Sequence, residues 1–395
     1  MRSLVCVALA VVALGGVASL GGAEAAGPAN PPKGPAEGLF LGAKPMALPQ
    51  MNAKPPMRPA GATAQRKGAA VPGGRPGNPG GVAKQAIQIV PAPITVTPKA
   101  VTPKAVIPKA GGLVPSGGIA IQAFGPEALP YSTSRVEMSP KTPRIVTLYP
   151  YRATGLLAFK LGPYKATCSG ALIDKGLVLT AAHCVAIYGK GLFPDGDWAF
   201  IPGYHKGKGA YGTFRFREVF APDRYLNGTA PCLDTIDNEG CEDDVAVIVL
   251  QPNRQRKYPG TMTGWLGVAW DGGGFTGDKR THVSQLGYPG GIDSASQMIR
   301  NDSEGFVDPG QLDATIIGSP MDGGSSGGPW VTNLGIAPVY NEALPGSDAE
   351  PNTIIGVTSW GMSDSEMVGA APLTSANIEV LINDACEAYP AACSR

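Results

Sequence analysis

The chain has 395 residues, a formal net charge of +1, 16% charged residues, 55 glycines and 39 prolines. That balance gives no overall basic surface of the kind nucleic-acid binding needs, and beyond the first residues no apolar stretch is long enough to span a bilayer. The near-neutral sum hides two opposite halves: residues 27–143 carry 13 Lys or Arg against 3 Glu, a net of +10, and residues 144–395 carry 18 against 27, a net of −9.

Residues 1–25 read as a secretory signal peptide: Arg2, an uncharged apolar run from Ser3 to about Leu20, then small residues ending in Ala23-Glu24-Ala25. A membrane anchor is the competing reading, but the run is short and ends in a cleavage-like site. Residues 26–143 are rich in Pro, Gly, Ala and Lys and contain the repeat "VTPKA VTPKA VIPKA" at 96–110. Proline every fifth residue blocks helices and sheet ladders alike, so this segment is expected to be a disordered, extended pro-region or linker. Its charge would suit contact with an anionic cell envelope or with the acidic half; a solvated linker kept extended by self-repulsion is the simpler account.

From Arg144 to the end at 395 the pattern becomes short apolar runs broken by turn residues: "RIVTLY", "TGLLAFKL", "SGALIDKGLVLTAA", "DWAFIPGY", "TFRFREVFA", "DDVAVIVL", "VSQLGY" and "TIIGVTSW". Many short strands predict an all-β barrel or sandwich domain. The exception follows Thr374, where Ile378, Leu381, Ile382 and Ala385 recur at helical spacing behind a Thr/Ser cap and predict a terminal helix.

Removing Cys6 with the signal leaves Cys168, Cys184, Cys232, Cys241, Cys386 and Cys393. An even number in an exported chain favours disulfides, and of the possible pairings the three close couples 168 with 184, 232 with 241 and 386 with 393 are preferred. A metal centre is disfavoured, since no CxxC spacing occurs and there are only 3 histidines. The acidic loop "CLDTIDNEGC" could hold calcium but lacks EF-hand spacing. Asn227 and Asn301 stand in glycosylation sequons, and "WDGGGFTGDK" reads as a surface turn, not a phosphate loop.

The motif "GSSGG" places Ser326 in a Gly-x-Ser-x-Gly frame, which also suits an α/β-hydrolase elbow. That fold needs its histidine after the serine, whereas His183, His205 and His282 all precede it. The only Asp before His183 is Asp174, nine residues upstream on the same predicted hairpin, which disfavours the subtilisin order. What survives is His, Asp, Ser. His183 follows an apolar strand beside Cys184. Asp244 opens "DVAVIVL", an apolar strand with little reason to begin with an acid unless something uses it; Asp243 is its rival.

Together "LTAAHC", "DVAV", "GGSSGGPW" and "IIGVTSWG" resemble the chymotrypsin-like serine peptidases. "YPYRATGLLAF", "CSGALI", "FIPGYHKGKGAYG" and "LGYPGG" are most similar to the branch that includes the bacterial glutamyl endopeptidases. The resemblance covers roughly residues 145–390. It implies two packed six-stranded antiparallel β-barrels with a C-terminal helix, the site lying between the barrels. It also implies Ser326 as nucleophile, His183 as general base and acid, Asp244 as orienting carboxylate, and the amides of Gly324 and Ser326 as the oxyanion hole. Ser359, Trp360 and Gly361 match the segment that pairs with a substrate backbone, and no cofactor is implied.

Three departures qualify the resemblance. Ser325 stands where trypsin-type enzymes carry the Asp that pairs with a freshly cut N-terminus, although "RIV" at Arg144 superficially resembles an activation site and Asp322 is a conceivable substitute. Thr358 replaces the His that receives a Glu side chain in glutamyl endopeptidases. Pro320 replaces the Asp of the trypsin pocket. The expectation is a secreted serine endopeptidase with a neutral specificity pocket acting on proteins or peptides. A catalytically silent peptide- or envelope-binding homologue and an esterase on the same fold are the alternatives.

Overall fold

A computed structural model of the chain describes residues 73–80, 129–137, 144–161, 164–193, 198–233, 240–337, 350–362 and 366–394. The signal segment, the VTPKA repeats and most of the acidic loop between Cys232 and Cys241 lie outside the described residues.

Six antiparallel strands, Thr154–Leu161, Tyr164–Leu172, Leu177–Thr180, Ala199–Pro202, Phe214–Phe220 and Ala246–Leu250, close into the first barrel. Leu177–Thr180 and Ala246–Leu250 are neighbours and buried at every position, which is why both read as continuous apolar runs. Their pairing, Ala246 opposite Thr180, brings the chain entering one strand beside the chain leaving the other. Phe159 stacks on Trp198, which in turn meets Phe216 at a tilt, with ring centroids 4.7 and 5.3 Å apart.

The second barrel runs Arg280–Gly287, Ile299–Asp308, Ala314–Gly318, Met367–Ala370, Thr353–Met362 and Pro329–Thr332 and closes back on the first of these, every pairing antiparallel. Trp330 and Trp360 are fully buried in it. Gly267–Trp270 adds in parallel to Thr353–Met362. The terminal helix Val380–Ala388 follows a wider turn over Ser375–Glu379, capped by reciprocal bonds between Thr374 and Asn377. Leu381, Ile382 and Ala385 are its buried face.

Two strands come from upstream of residue 144. Gly73–Arg75 pairs with Gly267–Trp270, and Tyr131–Arg135 pairs with Ile299–Asp308 from Ile299 to Ser303, where the partner strand Ala314–Gly318 no longer reaches. Both are proline-free windows in the proline-rich region, so the argument against sheet ladders does not apply to them. "RIVTLY" is not a strand: Ile145–Thr147 is a 3-10 turn, with the amides of Thr147 and Leu148 donating to the carbonyls of Arg144 and Ile145. No helix among the described residues is long and apolar enough to cross a membrane.

Candidate active site

His183 lies in the 3-10 turn Ala182–Cys184 immediately after Leu177–Thr180, and Asp244 stands two residues before Ala246–Leu250. The strand pairing therefore sets the two side by side. Asp244 is fully buried, its Oδ1 accepting from the His183 amide at 2.8 Å and its Oδ2 lying 2.8 Å from His183 Nδ1. The Ser359 hydroxyl donates to the same Oδ2. A carboxylate that accepts from all three donors places the imidazole proton on Nδ1 and leaves the lone pair on Nε2. Asp243 points elsewhere, to Arg224 and Asn377.

Ser326 belongs to the loop between Ala314–Gly318 and Pro329–Thr332. Its carbonyl accepts from the Ser169 amide at 2.7 Å, and its Oγ is buried with no hydrogen-bond partner among the described residues. The loop presses against the first barrel so closely that a Cβ on Gly327, whose φ is 73°, would lie 1.9 Å from Thr180 Oγ1. Only glycine can follow Ser326 here. Thr180 is three residues from His183, so this contact brings the serine loop to the histidine turn.

Ser169 is the residue that reading the sequence left without a role. Its Oγ donates to the Gly324 carbonyl at 2.8 Å and accepts from the Tyr288 amide at 2.9 Å, while its own carbonyl accepts from Thr180 Oγ1. Cys168, next to it, is bonded to Cys184, next to His183. One two-residue step of the first barrel thus anchors both the histidine turn and the serine loop. The other bridges join Cys232 to Cys241 and Cys386 to Cys393.

The Asp322–Ser325 turn closes with the Ser325 amide and hydroxyl both donating to the Asp322 carbonyl, at 3.1 and 2.6 Å. The Asp322 carboxylate accepts from the Gly291 amide. Among the described residues, neither the Gly324 nor the Ser326 amide has an acceptor.

Around the expected specificity pocket, the Ser319 hydroxyl donates to Gln285 Oε1 at 2.6 Å. Gln285 Nε2 and Trp330 Nε1 both donate to Thr358 Oγ1, at 2.9 and 3.0 Å. Every member is neutral and buried. Pro320 is half-buried beside Ser319. Trp360, placed by the resemblance on the substrate-pairing segment, has its ring against Gly369 and packs with Leu233, Ile316 and Met367.

Among the described residues, the groups of side chains close enough to hold a metal are Cys168, His183 and Cys184, and Asp174, Cys386 and Cys393. All four sulfurs are in disulfides and are not available as thiolate ligands. Asn301, the expected sequon acceptor, is fully buried, donating to the Gly318 carbonyl and accepting from Thr133.

Twin six-stranded barrels, with a buried aspartate and histidine in the first and a glycine-bracketed serine from the second, define the chymotrypsin-like class of serine hydrolases. The trypsin family model matches residues 147–380, more than half of the chain. The chain belongs to the trypsin family and is a serine endopeptidase. Similar solved structures include the thermostable serine protease AL20 from an extremophilic microorganism, at 20% identity and TM-score 0.46, covering 59% of this chain and 96% of that one. Protease Anisep from Arthrobacter nicotinovorans matches at 22% and 0.44, covering 61% and 95%. A Glu endopeptidase in complex with MPD matches at 20% and 0.44, covering 64% and 95%. No curated protein matches the chain.

Proposed function

We propose that the chain is an exported endopeptidase that cleaves peptide bonds through an acyl-enzyme on Ser326. The observation that carries this reading is the threefold grip on Asp244 by the His183 amide, His183 Nδ1 and the Ser359 hydroxyl, which dedicates Nε2 to proton transfer. Ser326 Oγ attacks the scissile carbonyl while His183 Nε2 takes its proton. The oxyanion accepts from the amides of Gly324 and Ser326, each donor worth about 3 kcal/mol in such chemistry. His183 returns the proton to the leaving amine, and a water activated by the same nitrogen releases the acid product. Asp244 stays a carboxylate throughout and stabilises the imidazolium.

The substrate backbone pairs with Ser359-Trp360-Gly361 as an added strand. Pro320 and Thr358 favour a neutral side chain at the cleaved bond, a reading supported by the uncharged Ser319–Gln285–Thr358 network. Three disulfides and the signal-like first 25 residues support export. A fluorophosphonate probe tests the core of the proposal: it labels the wild type and not Ser326→Ala, and a folded wild type that stays unlabelled overturns it.

A further inference from the structure

The oxyanion peptide needs an organiser. In trypsin-type enzymes a cut N-terminus pairs with an Asp beside the nucleophile, but Ser325 holds that place and spends its hydroxyl on the Asp322 carbonyl. Here the Gly323 carbonyl accepts from the Gly290 amide at 2.6 Å. Across a trans peptide the N–H points opposite to the C=O, so this bond turns the Gly324 N–H to the other side, where an oxyanion would sit. The next amide, Gly291, holds the Asp322 carboxylate at 2.9 Å. The 289–295 loop therefore sets the peptide.

That loop is itself under constraint. Asp293, Ser294 and Ala295 are three consecutive non-glycine residues with positive φ, 53°, 52° and 56°. Such a conformation persists only where the surroundings impose it. Two side chains hold Asp293: Arg135, largely exposed, whose Nε and Nη2 donate to Oδ2 and Oδ1 at 2.6 and 3.0 Å, and the buried Gln297, whose Nε2 donates to the same Oδ2. Arg135 ends the strand Tyr131–Arg135, fixed to the second barrel by the Tyr131 hydroxyl on Glu366 and the Thr133 hydroxyl on Asn301. Two residues on, Glu137 meets His205, which lies in the connection between the first-barrel strands Ala199–Pro202 and Phe214–Phe220, at 2.7 Å. The segment lies upstream of the family match.

We propose that residues 131–137 are a strap retained in the active enzyme, and that Arg135 is a positioning residue. Through Asp293 and the 289–295 loop it fixes the Gly323–Gly324 peptide, the task a new N-terminus performs in trypsin-type enzymes. Cleavage at Arg144 that released the strap would switch the enzyme off instead of on.

The inference rests on the acyl-enzyme reading, so fluorophosphonate labelling of the full wild-type chain is the control; its absence overturns that reading and the strap's role with it. In a labelling enzyme, Arg135→Ala and Asp293→Asn each lower kcat on a peptide between about tenfold and a hundredfold, with KM within about twofold. Arg135→Lys restores part of the loss, which a merely structural role would not require. Asp293→Asn preserves shape and keeps the test alive if Arg135→Ala fails to fold. Native mass spectrometry of the labelled wild type finds residues 131–137 present, in the chain or as a bound peptide. Full labelling of a species without them, unchanged kcat in both variants, or a change confined to KM overturns the strap.

Discussion

Ser359 and His183 share one oxygen: the Ser359 hydroxyl and His183 Nδ1 both meet Asp244 Oδ2, while Oδ1 is taken by the His183 amide. The carboxylate is thus fixed from the second barrel as well as the first, since Ser359 lies in Thr353–Met362. Hydrogen bonds to a charged group contribute roughly 1.5–3 kcal/mol. Ser359→Ala is expected to lower kcat/KM about tenfold to a hundredfold while the protein stays folded. Asp244→Asn inverts the tautomer demand on Nδ1 and is expected to cost roughly 10⁴-fold, the scale known for this change in the class. Equal losses in the two variants would remove the distinction between fixing the carboxylate and supplying its charge.

Ser169, through one hydroxyl and one amide, ties its own strand to Tyr288 and to the serine loop at Gly324 and Ser326. Ser169→Ala leaves the buried Tyr288 amide without its acceptor and the Gly324 carbonyl without its donor. Each orphaned group costs about 1–3 kcal/mol, and both lie at the serine loop. Denaturant unfolding should therefore show a loss of a few kcal/mol, and kcat should fall with it. A variant of full stability but lowered kcat would assign Ser169 to positioning alone; a variant unchanged in both would refute the bridge.

The proposed order His183, Asp244, Ser326 could be read from the sequence because chain order excludes the α/β-hydrolase arrangement and disfavours the subtilisin one, and because the apolar strand after Asp244 made an acid there anomalous. Ser169 was not, because a serine in "CSGALI" carries no signal until the fold brings position 324 beside it. The polar strand Ile299–Asp308 escaped notice for a related reason. Its buried Asn301 and Ser303 are satisfied by Thr133, Gly318 and Pro130, partners far away in sequence, so burial there leaves no apolar alternation. Tyr131–Arg135 was hidden by the prolines around it. "RIVTLY" has strand composition but ends at Pro150, and its amides close a local turn.

The neutral network beside Pro320 predicts which bonds are cut. Profiling cleavage sites in a denatured protein mixture should show small or apolar residues on the acyl side, with no enrichment of Glu, Asp, Lys or Arg. A Glu-dominated profile would mean that a group other than Thr358 supplies the charge. Thr358→Val tests the network itself: it keeps the shape and removes the acceptor shared by Gln285 and Trp330, both buried, at a cost of about 1–3 kcal/mol. Unaltered stability would show that those donors find other partners.

His205 ties the strap to pH. Its ring is buried, and burial holds the imidazole below its ordinary value, against the pull of Glu137 and with the push of Lys206, Arg144 and Lys208. The unfolded chain therefore takes up the proton first. The native state is favoured above the ordinary histidine value, about 6.5, and loses stability as pH falls from there toward the lower folded value, below which the loss levels off. Glu242, whose carboxyl is raised by burial, acts in the opposite sense at lower pH. Melting temperatures measured between about pH 8 and 5 should fall on the acid side in the wild type and fall less in His205→Gln. An identical slope in the variant would place the acid sensitivity elsewhere.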